Sequence, residues 1–430
     1  MPSPNSSRAL STESESKQDH EKYESQPVTA GFAVRPTVSL RKRFPLRHFQ
    51  QVEGPRLREL FYRQPEPFGG SADRELLAVA LGATLYAPAT RPDLVRTIQR
   101  RAAQGVCSMV IDLEDAVADD ELELAEHLAV ETLNVLAGGV DPNPLLFVRV
   151  RDAASVVEIA GQLGAGARVL TGFVFPKFTA ASGPEYLAAL DKACEILERP
   201  VFGMPVLESP ELVHRQTRDR ELGRIARLLD EHRERVLAVR VGATDMCSTF
   251  GIRRDRDLTI YDVRVVADVI ADIVNYLGRA DGTGFVITGP VWEYFADHER
   301  MFRPLLRTAP FAESDAVPFR QYLVSRDLDG LLREITLDRA NGIQGKTVIH
   351  PAHVAAVHAL SVVTHEEYSD ASHIMREEVG GVAASAYRNK MNEMKPHRNW
   401  ARQTLLRARV FGVANKGVSF VDLLTAMVTV

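Results

Sequence analysis

Three carboxylates, Asp112, Glu114 and Asp115, form an acidic cluster directly after a short apolar run. The run, residues 109–111, is too short and too rich in β-formers for a helix, so it predicts a buried parallel strand. Acidic residues after such a strand lie at its carboxyl end, where α/β folds build their active sites. Since the three charges repel one another, they are tolerated most easily where a cation or a basic substrate neutralises them. Asp115 or Asp119 could instead simply cap the following helix, but capping does not explain Asp112 and Glu114.

Charged residues also end later apolar runs of the chain. Arg149 and Arg151 end the third run, and a period of two places both on one face, which is the interior if the sheet closes into a barrel. A buried arginine needs an anionic partner. Glu208 and Asp245 end two adjacent runs and could jointly hold Mg²⁺, which takes carboxylates, waters and substrate oxygens. The alternative is that each forms a salt bridge with Arg149 or Lys177.

Weaker candidates lie at neighbouring run ends. Lys177 ends the fourth run. The glycine at 242 leaves room for a close backbone approach, so amide groups at Ala243 and Thr244 could bind a substrate carboxylate. His350 precedes a proline at the end of the eighth run, where it is either a supporting hydrogen-bond partner or a direct participant. We find no serine, histidine and aspartate set that suits nucleophilic catalysis.

Eight apolar runs and the amphipathic stretches between them position these residues. The predicted strands are residues 83–88, 108–114, 145–150, 172–177, 201–208, 236–245, 284–290 and 346–351. The predicted helices are residues 91–103, 119–136, 180–197, 211–230, 261–277 and 328–341. This alternation predicts an α/β fold, a closed (β/α)8 TIM barrel. An open doubly wound sheet is the alternative, but no GxGxxG motif follows the first run to support dinucleotide binding.

The barrel domain is expected over residues 80–365. A disordered tail rich in serine and glutamate is predicted at 1–40, followed by a connector or arm at 41–79. The basic stretch at 41–49 is either a solvated connector or an anion- or partner-binding arm. The region 290–326 is too long for an ordinary connection, so we expect one helix and an extended excursion there.

A helical C-terminal extension or lid is predicted at 366–430. Residues 383–394 and 400–413 have helical patterns, and a Lys-Pro segment separates them. Because this tail is too small for its own core, it should pack over its own barrel or a neighbour's.

The composition excludes several classes of protein. The chain has 430 residues, 45% of them hydrophobic and 25% charged, with a net charge of −5. That small charge gives no case for nucleic-acid binding, and no apolar stretch is long enough for a transmembrane helix. The N-terminus lacks the apolar region of a secretory signal. Three isolated cysteines argue against a disulfide framework or structural zinc, and they fit a reducing cytoplasm.

The chain between about residues 80 and 365 resembles the citrate lyase β-subunit-like family, the HpcH/HpaI aldolase superfamily. The resemblance rests on these segments, in order: Leu85-Tyr86-Ala87-Pro88 with Arg91, Ile111-Asp112-Leu113-Glu114-Asp115-Ala116-Val117, Val148-Arg149-Val150, Phe175-Pro176-Lys177, Leu207-Glu208, Gly242-Ala243-Thr244-Asp245 and Gly345-Lys346-Thr347-Val348-Ile349-His350-Pro351. Each segment alone is weak evidence, but their order at matching strand ends is fairly specific.

The resemblance implies a Mg²⁺-dependent enzyme that makes or breaks a carbon–carbon bond next to a carbonyl. By motif, Glu208 and Asp245 would be the metal ligands, and Arg149 would stabilise an enolate oxygen together with the metal. Arg91 would help to place substrate phosphate or carboxylate groups. The acidic cluster would orient the metal's waters and Arg149. A cation and a guanidinium aimed at one oxygen favour the charge of an enolate-like transition state.

Two departures from the family pattern concern the substrate. The family has a lysine and an arginine in the helix after the acidic cluster, where this chain has Leu122 and Glu126. The family's asparagine after the Arg149 strand is Arg151 here. Both changes count against a CoA thioester, so a small oxo- or hydroxy-acid is the expected substrate and an acyl-thioester the alternative.

The segment 389–400 resembles the C-terminal signature of a divergent branch, the TIM-barrel C–C bond lyases encoded beside tellurium- and stress-resistance clusters. This resemblance implies a biosynthetic pathway with ATP-grasp and phosphoribosyltransferase-like partners. Family analogy suggests a homotrimer or hexamer whose tail reaches a neighbouring site. Lys390, Lys395, His397 and Arg398 could form an anion-binding lid or a solvated connector between two helices.

The leading hypothesis is therefore a Mg²⁺-dependent lyase or aldolase acting through an enolate. A phosphoenolpyruvate-utilising barrel or a thioester hydrolase is a second enzyme hypothesis. A third is a catalytically altered barrel that serves as a ligand-binding or scaffold subunit of a biosynthetic complex. The changes at Leu122 and Glu126 support the third, and the intact Arg149, Glu208 and Asp245 count against it.

Overall fold

The computed structural model describes residues 45–70, 72–139, 143–295, 328–376 and 380–428. The predicted N-terminal tail at 1–40 lies outside these residues. Most of the helix and excursion predicted at 290–326 lies outside them as well.

A closed barrel of parallel strands is the centre of the described fold. A short strand, β1 (Phe61–Arg63), precedes it. The barrel strands are β2 (Ala83–Pro88), β3 (Ser108–Asp112), β4 (Leu145–Arg149), β5 (Leu170–Phe175), β6 (Phe202–Leu207), β7 (Val239–Val241), β8 (Ile287–Thr288) and β9 (Lys346–Val348). They pair in the order β8-β7-β6-β5-β4-β3-β2-β9, and a parallel bridge between Gly289 and Lys346 joins the two ends. The predicted TIM barrel is confirmed.

Helices surround this barrel. They are α1 (Gly54–Leu60), α2 (Arg74–Ala80), α3 (Leu94–Ala103), α4 (Leu122–Gly138), α5 (Ala153–Gln162), α6 (Gly183–Ile196), α7 (Pro210–Val213), α8 (Arg215–Glu231), α9 (Ala243–Ser248), α10 (Arg264–Leu277), α11 (Leu328–Ala340) and α12 (Ala352–Ser361). Short 3-10 turns occur at Asp119–Glu121, Ala165–Arg168, Arg233–Arg235 and Ile260–Asp262. No helix of the described ranges is long and apolar enough to cross a membrane.

Burial explains why these segments are strands. Every residue of β3 and β5 is buried, as expected for parallel strands that are covered on both faces. The predicted strand at 236–245 is shorter in the structure, because α9 already begins at Ala243. The predicted strand at 284–290 is likewise reduced to β8. The sequence prediction had no helix at α5, which connects β4 to β5.

The C-terminal segment contains helices α13 (His365–Arg376), α14 (Arg398–Phe411) and α15 (Phe420–Val428) and strands β10 (Val382–Ala384), β11 (Met391–Glu393) and β12 (Val413–Ala414). The helix predicted at 400–413 corresponds to α14.

The helix predicted at 383–394 is wrong, because β10 and β11 form an antiparallel hairpin there. Along β11, Met391 and Glu393 are exposed and Asn392 is buried, which is the period of a strand. The turn before β11 places Arg388 at a φ of 54°, in the left-handed region that no helix interior uses.

The described tail covers the amino-terminal end of its own barrel. Helix α14 packs on α2, which leads into β2, α15 packs on α12, and β12 pairs with β1. The predicted lid is therefore not formed over this chain's own carboxyl strand ends by residues 380–428. Lys390 is already paired, with Glu366 and, at 2.9 Å, with Asp370.

Candidate active site

Arg149 and Asp112 form a bidentate ion pair at the carboxyl ends of β4 and β3. The strand register sets the two residues opposite each other. Arg149 Nε donates to Asp112 Oδ1 and Nη2 donates to Oδ2, both at 2.6 Å. The Arg149 side chain is 12% exposed and that of Asp112 only 4%. A paired carboxylate of this kind fixes the plane of the guanidinium, so Arg149 is oriented before any ligand arrives.

The rest of the acidic cluster shares two cations. Arg149 Nη1 lies 2.8 Å from Glu114 Oε2 and 3.0 Å from Asp115 Oδ2. Lys177 Nζ pairs with Glu114 and lies 3.5 Å from Asp115 Oδ1. Although partial burial opposes it, Arg149 holds the pKa of Asp115 below its usual value. Burial lowers the pKa of Lys177, but the hydrogen bond and the charge of Glu114 outweigh it and raise the pKa above its usual value. The repulsion among the three acids is therefore neutralised by protein cations.

Glu208 and Asp245, the carboxylate pair, have a different environment. Glu208 is 4% exposed, and its Oε1 accepts a hydrogen bond from the Lys177 backbone N–H at 2.8 Å. Burial, together with the nearby Asp245 carboxylate, raises the pKa of Glu208 to about 8. Among the described residues, no basic side chain lies within 4.0 Å of either carboxylate. The alternative that each forms a salt bridge with Arg149 or Lys177 is not what this part of the chain shows.

Gly242 makes room for the Glu208 carboxylate. A Cβ at position 242 would lie 1.8 Å from Glu208 Oε2, so no other residue fits there without displacing the carboxylate. Ala243 and Thr244 follow as the first residues of α9. The Thr244 hydroxyl donates to Glu293 Oε1 at 3.0 Å.

The carboxylate pair fits a hard divalent cation. In the described ranges, no group of three or more histidine, cysteine, aspartate or glutamate side chains could hold a metal. Two carboxylates are nevertheless a usual protein contribution to a Mg²⁺ site, because waters and substrate oxygens complete the octahedron. Burial and, after it, the Asp245 carboxylate raise the pKa of Glu208, and a bound cation would oppose both effects.

Three further residues were predicted near the strand ends, namely Arg91, His350 and Arg151. Arg91 is exposed in the turn after β2. His350 follows β9, and its ring stacks on Phe295 with the centroids 4.2 Å apart. The predicted common face of Arg149 and Arg151 is wrong, because β4 ends at Arg149. Arg151 turns instead to Asp119 and to the Val117 carbonyl, 3.0 Å from its Nη2.

Tyr86 and Arg240, which the sequence analysis did not propose as site residues, lie inside the barrel. The guanidinium carbons of Arg149 and Arg240 are each 5.4 Å from the centroid of the Tyr86 ring. Tyr86 is part of the segment that carried the family resemblance. Arg240 could have been found as a charge between two valines in a buried strand, which requires a special partner or function.

Comparisons with known proteins agree with this architecture. Residues 75–413 match the profile of the family described as C–C bond lyase of the TIM-barrel fold. A citrate lyase from Burkholderia xenovorans shares the fold at 17% identity, with a TM-score of 0.56, over 80% of this chain and 96% of that one. Protein CitE from Mycobacterium tuberculosis, solved with magnesium, acetoacetate and coenzyme A, is 20% identical, with a TM-score of 0.47, over 77% of this chain and 99% of that one.

A search of curated proteins found no match. The family match extends from α2 to the start of β12, so it includes the whole barrel and every candidate site residue. The chain belongs to the C–C bond lyases of the TIM-barrel fold.

Proposed function

We propose that this lyase is Mg²⁺-dependent and acts through an enolate on a small oxo- or hydroxy-acid. The observation that carries the proposal is the carboxylate pair, which has no basic side-chain partner within 4.0 Å among the described residues, together with Arg149, which three carboxylates hold in place. Lys177 connects the two groups, because its backbone N–H binds Glu208 and its ammonium binds Glu114. The proposed cation site, at the ends of β6 and β7, and the preoriented guanidinium, at the end of β4, are therefore separated by a single strand, β5.

Each residue has a role in this chemistry. Glu208 and Asp245 would hold Mg²⁺, which when bound supplies a Lewis acid for the substrate carbonyl. Arg149 would stabilise the negative charge that develops on the same oxygen, and it needs no reorganisation because Asp112 already fixes it. Glu114 and Asp115 support that orientation.

The substrate would carry a carboxylate. The backbone amides of Ala243 and Thr244 lie at the start of α9, directly before Asp245. Arg91 is exposed at the same end of the barrel. These groups would bind the acid function of the substrate. Leu122, at the start of α4, is uncharged, so this position supplies no cation for a CoA phosphate. We propose a free oxo-acid, in a cytoplasmic homotrimer or hexamer.

Titration calorimetry of the metal-free protein with Mg²⁺ tests this proposal, with and without pyruvate, oxaloacetate or glyoxylate. We expect wild type to bind Mg²⁺ and to bind oxo-acid only in its presence. The Glu208→Gln/Asp245→Asn double variant should lose both. Asp119→Asn is the matched control, since it removes an exposed carboxylate that pairs with Arg151.

Failure of the wild type to bind Mg²⁺ would overturn the proposal. It would favour the second candidate, a barrel that serves as a ligand-binding or scaffold subunit of a biosynthetic complex. The specific observation on that side is the replacement of two family cations by Leu122 and Glu126.

A further inference from the structure

Tyr86 projects into the interior of the barrel. Among the described strands, its strand β2 pairs with β3 and β9 alone. Its ring nevertheless contacts Arg149 on β4 and Arg240 on β7, each at 5.4 Å from guanidinium carbon to ring centroid. A side chain of β2 reaches both of those strands only across the barrel interior. Tyr86 is also partly exposed, and it contacts Arg149, the last residue at the carboxyl end of β4.

Arg240 is a buried cation that lacks a counter-ion among the described residues. It is 1% exposed, and no carboxylate of this part of the chain lies within 4.0 Å of it. Its Nη2 donates to the Thr347 hydroxyl at 2.6 Å, while its Nη1 has no hydrogen-bond partner in the described ranges. Burying an unpaired charge is costly. The Tyr86 ring face offsets only part of that cost, so the barrel interior favours a negative charge beside Tyr86.

We propose that Tyr86 is the proton donor to the enolate carbon and that Arg240 is the positioning residue that stabilises its phenolate. This inference rests on the proposed enolate chemistry and supplies the acid–base group that the sequence did not reveal. The two guanidiniums that contact the ring carry the argument, because both would stabilise a phenolate formed beside them.

Protonation of the enolate carbon by Tyr86 transfers one proton and changes no oxidation state overall. The Tyr86 O–H bond breaks and leaves its electron pair on the phenolate oxygen. The C=C electron pair of the enolate takes the proton to form the new C–H bond, and the enolate oxygen restores the C=O bond. Water then returns a proton to the phenolate and leaves as hydroxide, which the solvent buffer neutralises. In the reverse direction the phenolate removes the proton from the carbon next to the carbonyl. Burial raises the pKa of Tyr86 although both arginines oppose it, so the resting group is the protonated acid.

Hydrogen–deuterium exchange at the methyl group of pyruvate tests this role. The holoenzyme with Mg²⁺ is incubated with pyruvate in D₂O, and exchange is followed by proton NMR. Tyr86→Phe keeps the ring that contacts both guanidiniums and removes only the hydroxyl. We expect exchange to fall about 100-fold or more, the usual effect of removing a general acid, while calorimetry shows unchanged Mg²⁺-dependent pyruvate binding.

A matched control is Tyr261→Phe. It removes a hydroxyl that donates to Asp338 Oδ1 at 2.8 Å and has no part in the proposed reaction. It should leave exchange unchanged. If Tyr86→Phe also exchanges at the wild-type rate, Tyr86 is not the proton donor and the inference is wrong, although the proposed function stands. If wild type neither binds pyruvate nor exchanges its protons, the proposed function fails and this inference fails with it.

Arg240→Met separates a functional from a structural role. Replacing a buried, unpaired charge by an apolar side chain of similar length should leave the melting temperature unchanged or raise it. Exchange should fall, and its rise with pH should move to higher pH because the phenolate has lost a stabilising cation. Arg240→Lys should restore part of the wild-type pH profile. A lower melting temperature with an unshifted pH profile would show that Arg240 is structural and would overturn its assigned role.

Discussion

At the scale of single residues, the candidate site depends on glycine as much as on charge. Glu208 keeps its position because Gly242 has no side chain. Gly242→Ala should therefore displace the Glu208 carboxylate and weaken Mg²⁺ binding about 10- to 100-fold, the range seen when groups that support a ligand are lost.

The matched control for Gly242→Ala is Gly223→Ala, since a Cβ there meets nothing nearer than 3.9 Å. Calorimetry of both variants at one pH measures the effect. Equal Mg²⁺ affinity in Gly242→Ala and wild type would show that Glu208 does not bind the metal.

Residue types also explain what could be predicted from the sequence. The acidic cluster and Arg149 were recognisable, because charges at the ends of apolar runs are visible locally. Arg240 was missed, because its partner Tyr86 is distant in sequence and only the closed barrel brings the two together. The common face assigned to Arg149 and Arg151 failed for a local reason, since the strand period stops where the strand ends.

At the scale of elements, burial decided which predictions succeeded. Strands such as β3 and β5 are apolar throughout, so their sequences admit few alternatives. The segment 383–394 was predicted to be helical, yet its short strands pair with each other, and the buried Asn392 donates to Asp370 at 3.0 Å. Tertiary partners of that kind override a weak local pattern.

Helix α11 is tied to the last barrel strand by a buried ionic network. Lys346, 1% exposed at the start of β9, lies 2.9 Å from Glu334 Oε1 and 2.8 Å from Asp338 Oδ2. Lys346→Met should leave both acids buried without this cation and destabilise the fold by about 3 kcal/mol. Urea denaturation measures the change in free energy of unfolding.

The control for Lys346→Met is Arg339→Met, which breaks a more exposed pair with Glu367 and should cost at most about 1 kcal/mol. Because Lys346 makes no contact with the carboxylate pair in the described residues, Mg²⁺ affinity should not change in either variant. Similar stability losses in the two variants would contradict a special role for the network.

At the scale of the whole molecule, two buried histidines couple the N-terminal arm to the barrel. His48 and His358 are fully buried with ring centroids 4.5 Å apart. The Nε2 of His48 pairs with the Ala80 carbonyl at 3.0 Å, and that of His358 accepts from the Ala83 N–H at 3.3 Å. Burial lowers the pKa of His48 to about 4, and burial together with His48 lowers the pKa of His358 as well. Both rings are therefore neutral in the folded protein.

Neutral burial of these histidines makes stability depend on pH. Below about 6.5 the unfolded chain takes up protons that the folded protein refuses, so stability is complete above that pH and is lost as the pH falls toward 4. Each histidine should contribute a slope of up to about 1.4 kcal/mol per pH unit.

Urea denaturation at pH 7, 6 and 5 should show this slope in wild type. The slope should decrease in His48→Gln and in His358→Gln but not in His127→Gln, whose ring is exposed. If the slope is unchanged in both buried variants, groups other than His48 and His358 control acid unfolding.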